Sequence, residues 1–331
     1  PSVTRRLNKS DPIPGKDVVL TIDIEAQRLV EESLAQGVAR SRSLFDEVRL
    51  KHFLAPGAAS VVLDPRTGEV LAMASFPTYD PSVFIGGISN DQFSSLNQDP
   101  AKPLLNQGEK LQDYARSFGF GDTTGIEIPA ERDGRVPDTA WLKTMHQRLP
   151  KAFPYSEWLP GYTINLSFGQ GDLNVTPLQL ATAYAAIAND GRVLRPRVGL
   201  KVTDGDRQVK AFSPEETGRV PISAPNLQTI RSGLEAVPTV GTASFVFAGS
   251  PLHAIGVAGK TGSAQIQTTP PKQPFSWFAA YAPASDPKYV VVTMVEEAGA
   301  GSQAAAPITR RILEGLFGLP VSDITPAPKT D

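Results

Sequence analysis

The sequence predicts an α+β fold: a central antiparallel sheet of about five strands flanked by helices, plus a mostly helical lobe from the middle of the chain. Three observations predict it. Two apolar runs, 58–63 and 69–75, are joined by Asp64-Pro65-Arg66-Thr67-Gly68, a hairpin signal. Three strand-like runs come late, at 257–265, 275–283 and 288–297, separated by tight turns. Ile308, Ile312 and Leu316 then mark a last helix, closed by Gly318 and Pro320.

The elements between follow from local signals. Residues 1–17 are polar and contain proline, and read as the tail of a preceding module. Asp23 caps a helix in which Ala26, Val30 and Leu34 recur as a core-facing stripe. Residues 76–103 hold turn formers and no sustained period, which predicts a loop with a short helix near Asn90. Residues 111–118 predict a helix. Residues 133–162, with Pro137, Pro150, Pro154 and Pro160, predict a long surface loop. Thr176-Pro177 is a helix start, a hydroxyl cap followed by proline at the first helical position. Leu180, Tyr184 and Ile187 or Ala188 follow at helical spacing, and Asn189-Asp190-Gly191 stops the helix. Residues 198–212 alternate weakly and predict a hairpin outside the core sheet; residues 224–237 predict a helix.

Composition narrows the function. With 331 residues, 40% of them hydrophobic, the chain can bury one large core or two small ones. A net charge of −2 gives no reason to expect nucleic acid or a polybasic membrane patch. There is no Cys, hence no disulfide framework or thiolate metal site, and His52, His146 and His253 lack ligand-like spacing. No cofactor or metal is expected. No run approaches the ~18 apolar residues of a membrane span.

The most informative chemistry lies in Val257-Ala258-Gly259-Lys260-Thr261-Gly262-Ser263-Ala264-Gln265, an edge strand carrying one lysine and two hydroxyls. Such an edge can hold a carboxylate. Competing readings are weaker. Gly169-Gln170-Gly171 is no phosphate loop, because no Walker lysine follows; glycines there serve backbone turns. No Gly-x-Ser-x-Gly elbow is present. Trp277, beside Phe275 and Phe278, reads as sheet packing, and Glu296 and Glu297 alternate across a strand, so they cannot share a site.

Lys260-Thr261-Gly262 is one of three motifs of serine enzymes that bind penicillin. Further segments resemble the same family in the same order. They are Leu20-Thr21-Ile22-Asp23 with Gln27, the hairpin from Val62 to Ala74, and Pro103-Leu104-Leu105-Asn106. Phe118-Gly119-Phe120-Gly121, Ser167-Phe168-Gly169-Gln170-Gly171 and Thr176-Pro177-Leu178-Gln179 continue it. From about Leu20 to its end, the chain resembles the transpeptidase domain of class B penicillin-binding proteins of the elongation type. Residues 1–19 are then the tail of an N-terminal pedestal domain and 20–331 the transpeptidase domain.

One departure is large. The family's Ser-x-x-Lys and Ser-x-Asn motifs belong between the Pro-Leu-Leu-Asn and Phe-Gly-Phe-Gly segments, and neither is there. Ser285-Asp286-Pro287-Lys288 has the spacing, but Pro287 forbids the helix and it reads as a hairpin turn. Ser95-Leu96-Asn97 precedes the proper place and reads as loop. The missing stretch includes a core helix in this fold, and its loss would expose apolar surface at about 25 cal/mol per Å². A domain's net stability is only about 5–15 kcal/mol. An omitted segment between Gln107 and Gly108 is therefore expected.

The resemblance implies a D,D-transpeptidase that cross-links peptidoglycan stem peptides by serine acyl transfer and is inhibited covalently by β-lactams. A β-lactam sensor domain and a catalytically dead scaffold are the alternatives. Lys260 would bring positive charge beside the nucleophile, and Thr261 and Ser263 would bind the substrate carboxylate. Gly262 would admit substrate backbone, and the Ser263 N–H would be one oxyanion donor. The implied partners are stem peptides, β-lactams, a membrane glycan-strand polymerase and elongation-complex scaffolds. The implied place is the outer face of the bacterial cytoplasmic membrane, with an N-terminal anchor helix missing from this chain.

Overall fold

The computed structural model describes residues 17–46, 50–76, 109–159, 162, 165–166, 169–265 and 273–324. The elements run in this order: β1 (Asp17–Leu20), α1 (Ile24–Ser43), β2 (Ala58–Leu63), β3 (Val70–Phe76), α2 (Glu109–Ser117), α3 (Thr139–Arg148) and α4 (Pro177–Ala188). Then come β4 (Gly199–Asp204), β5 (Arg207–Ala211), α5 (Ala224–Thr239), β6 (Ala258–Ala264), β7 (Phe275–Ala282), β8 (Tyr289–Val295) and α6 (Ala305–Leu316).

The central sheet has five strands in the order β6-β7-β8-β2-β3, antiparallel throughout. The predicted early hairpin and the three late strands thus form one sheet, joined where β8 meets β2. Its middle strands are apolar on both faces, as a sheet covered on both sides requires. On one face, Val62, Phe278, Ala280 and Val291 pack with Val30, Leu34 and Val38 of α1 and Ile308 and Ile312 of α6. On the other, Val61, Leu63, Tyr281 and Val292 pack with Leu178, Ala181 and Ala185 of α4. Each fully buried aliphatic side chain contributes about 1.5–3 kcal/mol. Between strands and helix runs a buried hydroxyl chain: Ser60 Oγ to Thr293 Oγ1 at 3.0 Å and Thr309 Oγ1 to Thr293 Oγ1 at 2.9 Å.

The capping signals act as expected. Asp23 accepts from the N–H groups of Glu25 and Ala26 at 3.0 and 2.9 Å. Thr176 and Gln179 form a reciprocal capping box at the start of α4. α4 is buried nearly all round: its small residues Ala181 and Ala185 let it lie close on the sheet, and Ala186 packs with Val193 and Val220. β4 and β5 form the expected hairpin outside the core sheet, and β1 adds to it through β4. The 19/20 boundary thus falls inside β1. Ser285-Asp286-Pro287-Lys288 lies in the turn between β7 and β8, as expected.

The predicted loop over 133–162 is corrected by the structure, since α3 lies inside it. Asp138 caps α3, accepting from Trp141 N–H at 2.7 Å. Pro137 precedes the cap, and Pro150 and Pro154 follow the helix, so these prolines bound it rather than break it. Leu142 is its buried anchor, clustered with Phe153 and Trp158. The loop and short helix predicted for 76–103, the Ser95-Leu96-Asn97 match and the Gln107-Gly108 junction lie almost wholly outside the described residues.

Candidate functional site

β6 is an edge of the central sheet; among the described residues only β7 pairs with it. Its register sets Lys260 opposite Ala279, Thr261 opposite Phe278, Gly262 opposite Trp277 and Ser263 opposite Ser276. Successive side chains leave a strand on opposite faces. Lys260 and Gly262 therefore share a face with Ala258, which clusters with Leu178 and Ala181 of α4. Thr261 and Ser263 take the other face.

The lysine and the two hydroxyls therefore lie along one strand edge but not on a common face. Lys260 is exposed, and its ammonium curls back to donate to Thr261 O at 2.8 Å. Thr261 Oγ1 shares a 2.7 Å hydrogen bond with Thr242 Oγ1, from the turn after α5. Gly262 has a packing reason besides backbone access: a Cβ there would stand 3.2 Å from Trp277 Cβ. Ser263 is exposed at the far end of the motif.

Two neighbours fix this edge. α5 is tied to the end of α4 by Arg231, whose Nη2 donates to Ile187 O at 2.6 Å and to Asp190 Oδ1 at 2.9 Å. Its Leu234 packs in one cluster with Ala258. The second neighbour is the Gly169-Gln170-Gly171 turn, both glycines at φ +77°. Gln170 Nε2 donates to Ser263 O at 2.7 Å, and its Oε1 accepts from Gln265 N–H at 3.2 Å. Sequence reasoning assigned neither Thr242 nor Gln170 to the site; the two glycines flanking Gln170 were the one available signal for it.

Beyond the turn lies Asp172, 6% exposed. Burial pushes its carboxyl up to about 8, with the Arg135 charge pulling the other way. His146 has a structural task, its Nδ1 lying 2.7 Å from Phe153 O behind α3. Trp277 packs among the apolar residues on α4's side of the sheet.

A five-stranded antiparallel sheet between helix layers, ending on a Lys-Thr-Gly-Ser edge strand, defines a class. The penicillin binding protein transpeptidase domain matches residues 101–314, and the chain belongs to that family. It is 26% identical to the peptidoglycan D,D-transpeptidase MrdA of Haemophilus influenzae, over 94% of this chain and 58% of the relative. It is 27% identical to the penicillin-binding protein PbpB of Mycobacterium tuberculosis, over 97% of this chain and 55% of the relative. Among solved structures, Pseudomonas aeruginosa PBP2 in complex with WCK 5153 superposes with a TM-score of 0.69 at 26% identity. That match covers 93% of this chain and 77% of the other. The chain thus spans less than two thirds of the length of these curated relatives.

The Haemophilus alignment runs over 414 positions, while 94% of 331 residues is about 311. Roughly a hundred positions inside the matched span stand opposite no residue of this chain.

Proposed function

We propose that the chain is the transpeptidase portion of a peptidoglycan D,D-transpeptidase of the elongation type, acylated by β-lactams at a serine outside the 331 residues. The observation that carries the reading is the β6 edge, an open strand edge that carries Lys260, Thr261 and Ser263 in a chain of this family. Acyl transfer needs a nucleophile, a proton acceptor, an oxyanion hole and a grip on the substrate. Lys260 supplies positive charge at the edge and draws the substrate carboxylate. Thr261 and Ser263 hydroxyls donate to that carboxylate, and Thr242 orients the Thr261 hydroxyl. The Ser263 N–H is one oxyanion donor, and the serine's own N–H is the other. The serine oxygen attacks a peptide carbonyl, the amine leaves with a proton, and a second amine then takes the acyl group.

Stem peptides and β-lactams are the ligands in this reading. A glycan-strand polymerase and elongation scaffolds are its partners on the outer face of the cytoplasmic membrane. Support for the assembly comes from a relative of 26% identity solved within a peptidoglycan synthase complex. Labelling with fluorescent penicillin tests the reading. The natural protein is expected to label, and Lys260→Ala to label at least a hundredfold more slowly with its circular dichroism unchanged, because an exposed strand lysine packs little. Equal labelling rates would remove Lys260 from the site, and no labelling of the natural protein would favour the scaffold reading.

A further inference from the structure

In an antiparallel ladder, the N–H and C=O of one residue point to the same side, and successive residues alternate sides. Gln170 bonds Ser263 O and Gln265 N–H, so these groups face away from β7, toward the open edge. The Ser263 N–H shares that edge. A glutamine carboxamide carries the same donor and acceptor as a peptide group. By donating to residue 263 and accepting from residue 265, it reproduces the bonds of one residue in a parallel neighbouring strand. Lys260 meanwhile fills the next outward carbonyl, Thr261 O.

A peptide that adds to β6 as a strand pairs through its main chain. If its carbonyl oxygen reaches the Ser263 N–H, its own amide N–H reaches for Ser263 O, which Gln170 already holds at 2.7 Å. The geometry points to Gln170 as a gate on β6: its side chain stands in for the substrate strand, and only a ligand whose amide N–H can replace it at Ser263 O completes the pairing. This inference rests on the proposed reading of β6 as the substrate-pairing strand.

The gate is built to move. Gln170 sits between two glycines at φ +77°, with its own N–H held by Asn165 O at 2.9 Å. Its side chain is only partly buried, so water can satisfy the carboxamide once it swings away. The ligand class is an N-acyl peptide ending in a carboxylate. Gln170 competes with ligands that carry an N–H at the acyl nitrogen and is indifferent to those that lack one.

The test is calorimetric titration of the protein, Gln170→Met, Gln170→Ala and Lys260→Ala. The probes are N-acetyl-D-alanyl-D-alanine and its analogue methylated on the acetamido nitrogen. Gln170→Met keeps length and apolar bulk while removing both hydrogen bonds. Both Gln170 variants are expected to bind the N–H peptide roughly three- to tenfold tighter than the parent, the equivalent of one competing hydrogen bond. The methylated peptide should bind them and the parent alike, and Gln265 amide exchange should quicken in both. Unchanged or weaker binding of the N–H peptide in both variants overturns the gate, as does an equal change for the two peptides, which marks a structural role. Lys260→Ala reports separately: weaker binding of both peptides upholds the reading of the edge, and parent-like binding overturns that reading whatever Gln170 does.

Discussion

Asp172 and Glu314 are both buried carboxyls, and their surroundings move them in opposite directions. Arg135 Nε donates to the backbone oxygen of Asp172 at 3.1 Å, while its guanidinium lies 5.3 Å from the Trp141 ring centre. Burial dominates, and the carboxyl rises to about 8. The folded state then keeps a proton that the unfolded chain loses near its ordinary value of about 4. Stability therefore falls as pH rises from that value toward 8. Asp172→Asn should melt higher than the parent at pH 8 and at the same temperature near pH 4, as followed by circular dichroism. Parallel melting curves across that range would contradict the assignment. At Glu314, burial also pushes the carboxyl up, but hydrogen bonds from Arg310, Ser322 and Ser250 together hold it below its ordinary value. They measure 2.7 Å from Arg310 Nε, 2.7 Å from Ser322 N and 2.8 Å from Ser250 Oγ. This contribution is present at neutral pH and is lost as pH falls through the lowered value. Glu314→Ala strips Arg310 of its buried partner and should cost about 3 kcal/mol in urea unfolding at pH 7; a loss too small to measure would reduce the network to surface chemistry.

Between elements, the crossing of α1 and α6 leaves no room for a side chain at two points. A Cβ on Gly37 would stand 2.1 Å from Ile308 Cγ1, and one on Gly315 would stand 2.2 Å from Leu29 Cδ2. Glycine at both points lets the two helices lie together over one face of the sheet. Gly37→Val should therefore destabilise by about 2–3 kcal/mol, since overpacking outweighs the helix propensity gained. Urea midpoints give the answer, and a more stable variant would mean that the crossing has room. These elements were legible because their signals are local: the Asp23 cap, the Thr176-Pro177 start, the Asp64–Gly68 turn, and the apolar runs of β7 and β8. α3 was not, because only Leu142 is fully buried in it and the nearby prolines outweighed so thin a pattern. The site divides the same way. Lys260, Thr261, Gly262 and Ser263 are adjacent and announce themselves. Thr242 and Gln170 lie 19 and 93 residues from the groups they touch, and only the fold brings them there. The strand pleat was equally silent in the motif: it sends Lys260 to one face and Thr261 and Ser263 to the other, and the Lys260 arm bends back only to the backbone oxygen of Thr261.

For the molecule as a whole, the question is where the nucleophile comes from. We propose that it sits on a segment inserted between Gln107 and Gly108, and three observations support this. The family's Ser-x-x-Lys and Ser-x-Asn motifs are missing at that point in the order of matching segments. Roughly a hundred positions of the Haemophilus alignment face no residue of this chain, although the match spans 94% of it. Gln112, one turn into α2 and fully buried, has no hydrogen-bond partner among the described residues for either polar atom of its side chain. An unsatisfied buried polar group costs about 1–3 kcal/mol, a poor arrangement for an element meant to end there. A segment packed against α2 would supply both partners and the missing core helix together. The natural protein should then have an intact mass above that of the 331 residues. Proteolysis after fluorescent-penicillin labelling should place the label on a peptide that begins after Gln107 and ends before Gly108. A measured mass equal to that of the 331 residues defeats the inserted segment and leaves a scaffold with no acylating serine. A label carried by Ser285 or Ser95 would instead give the nucleophile's role to a serine within the 331 residues.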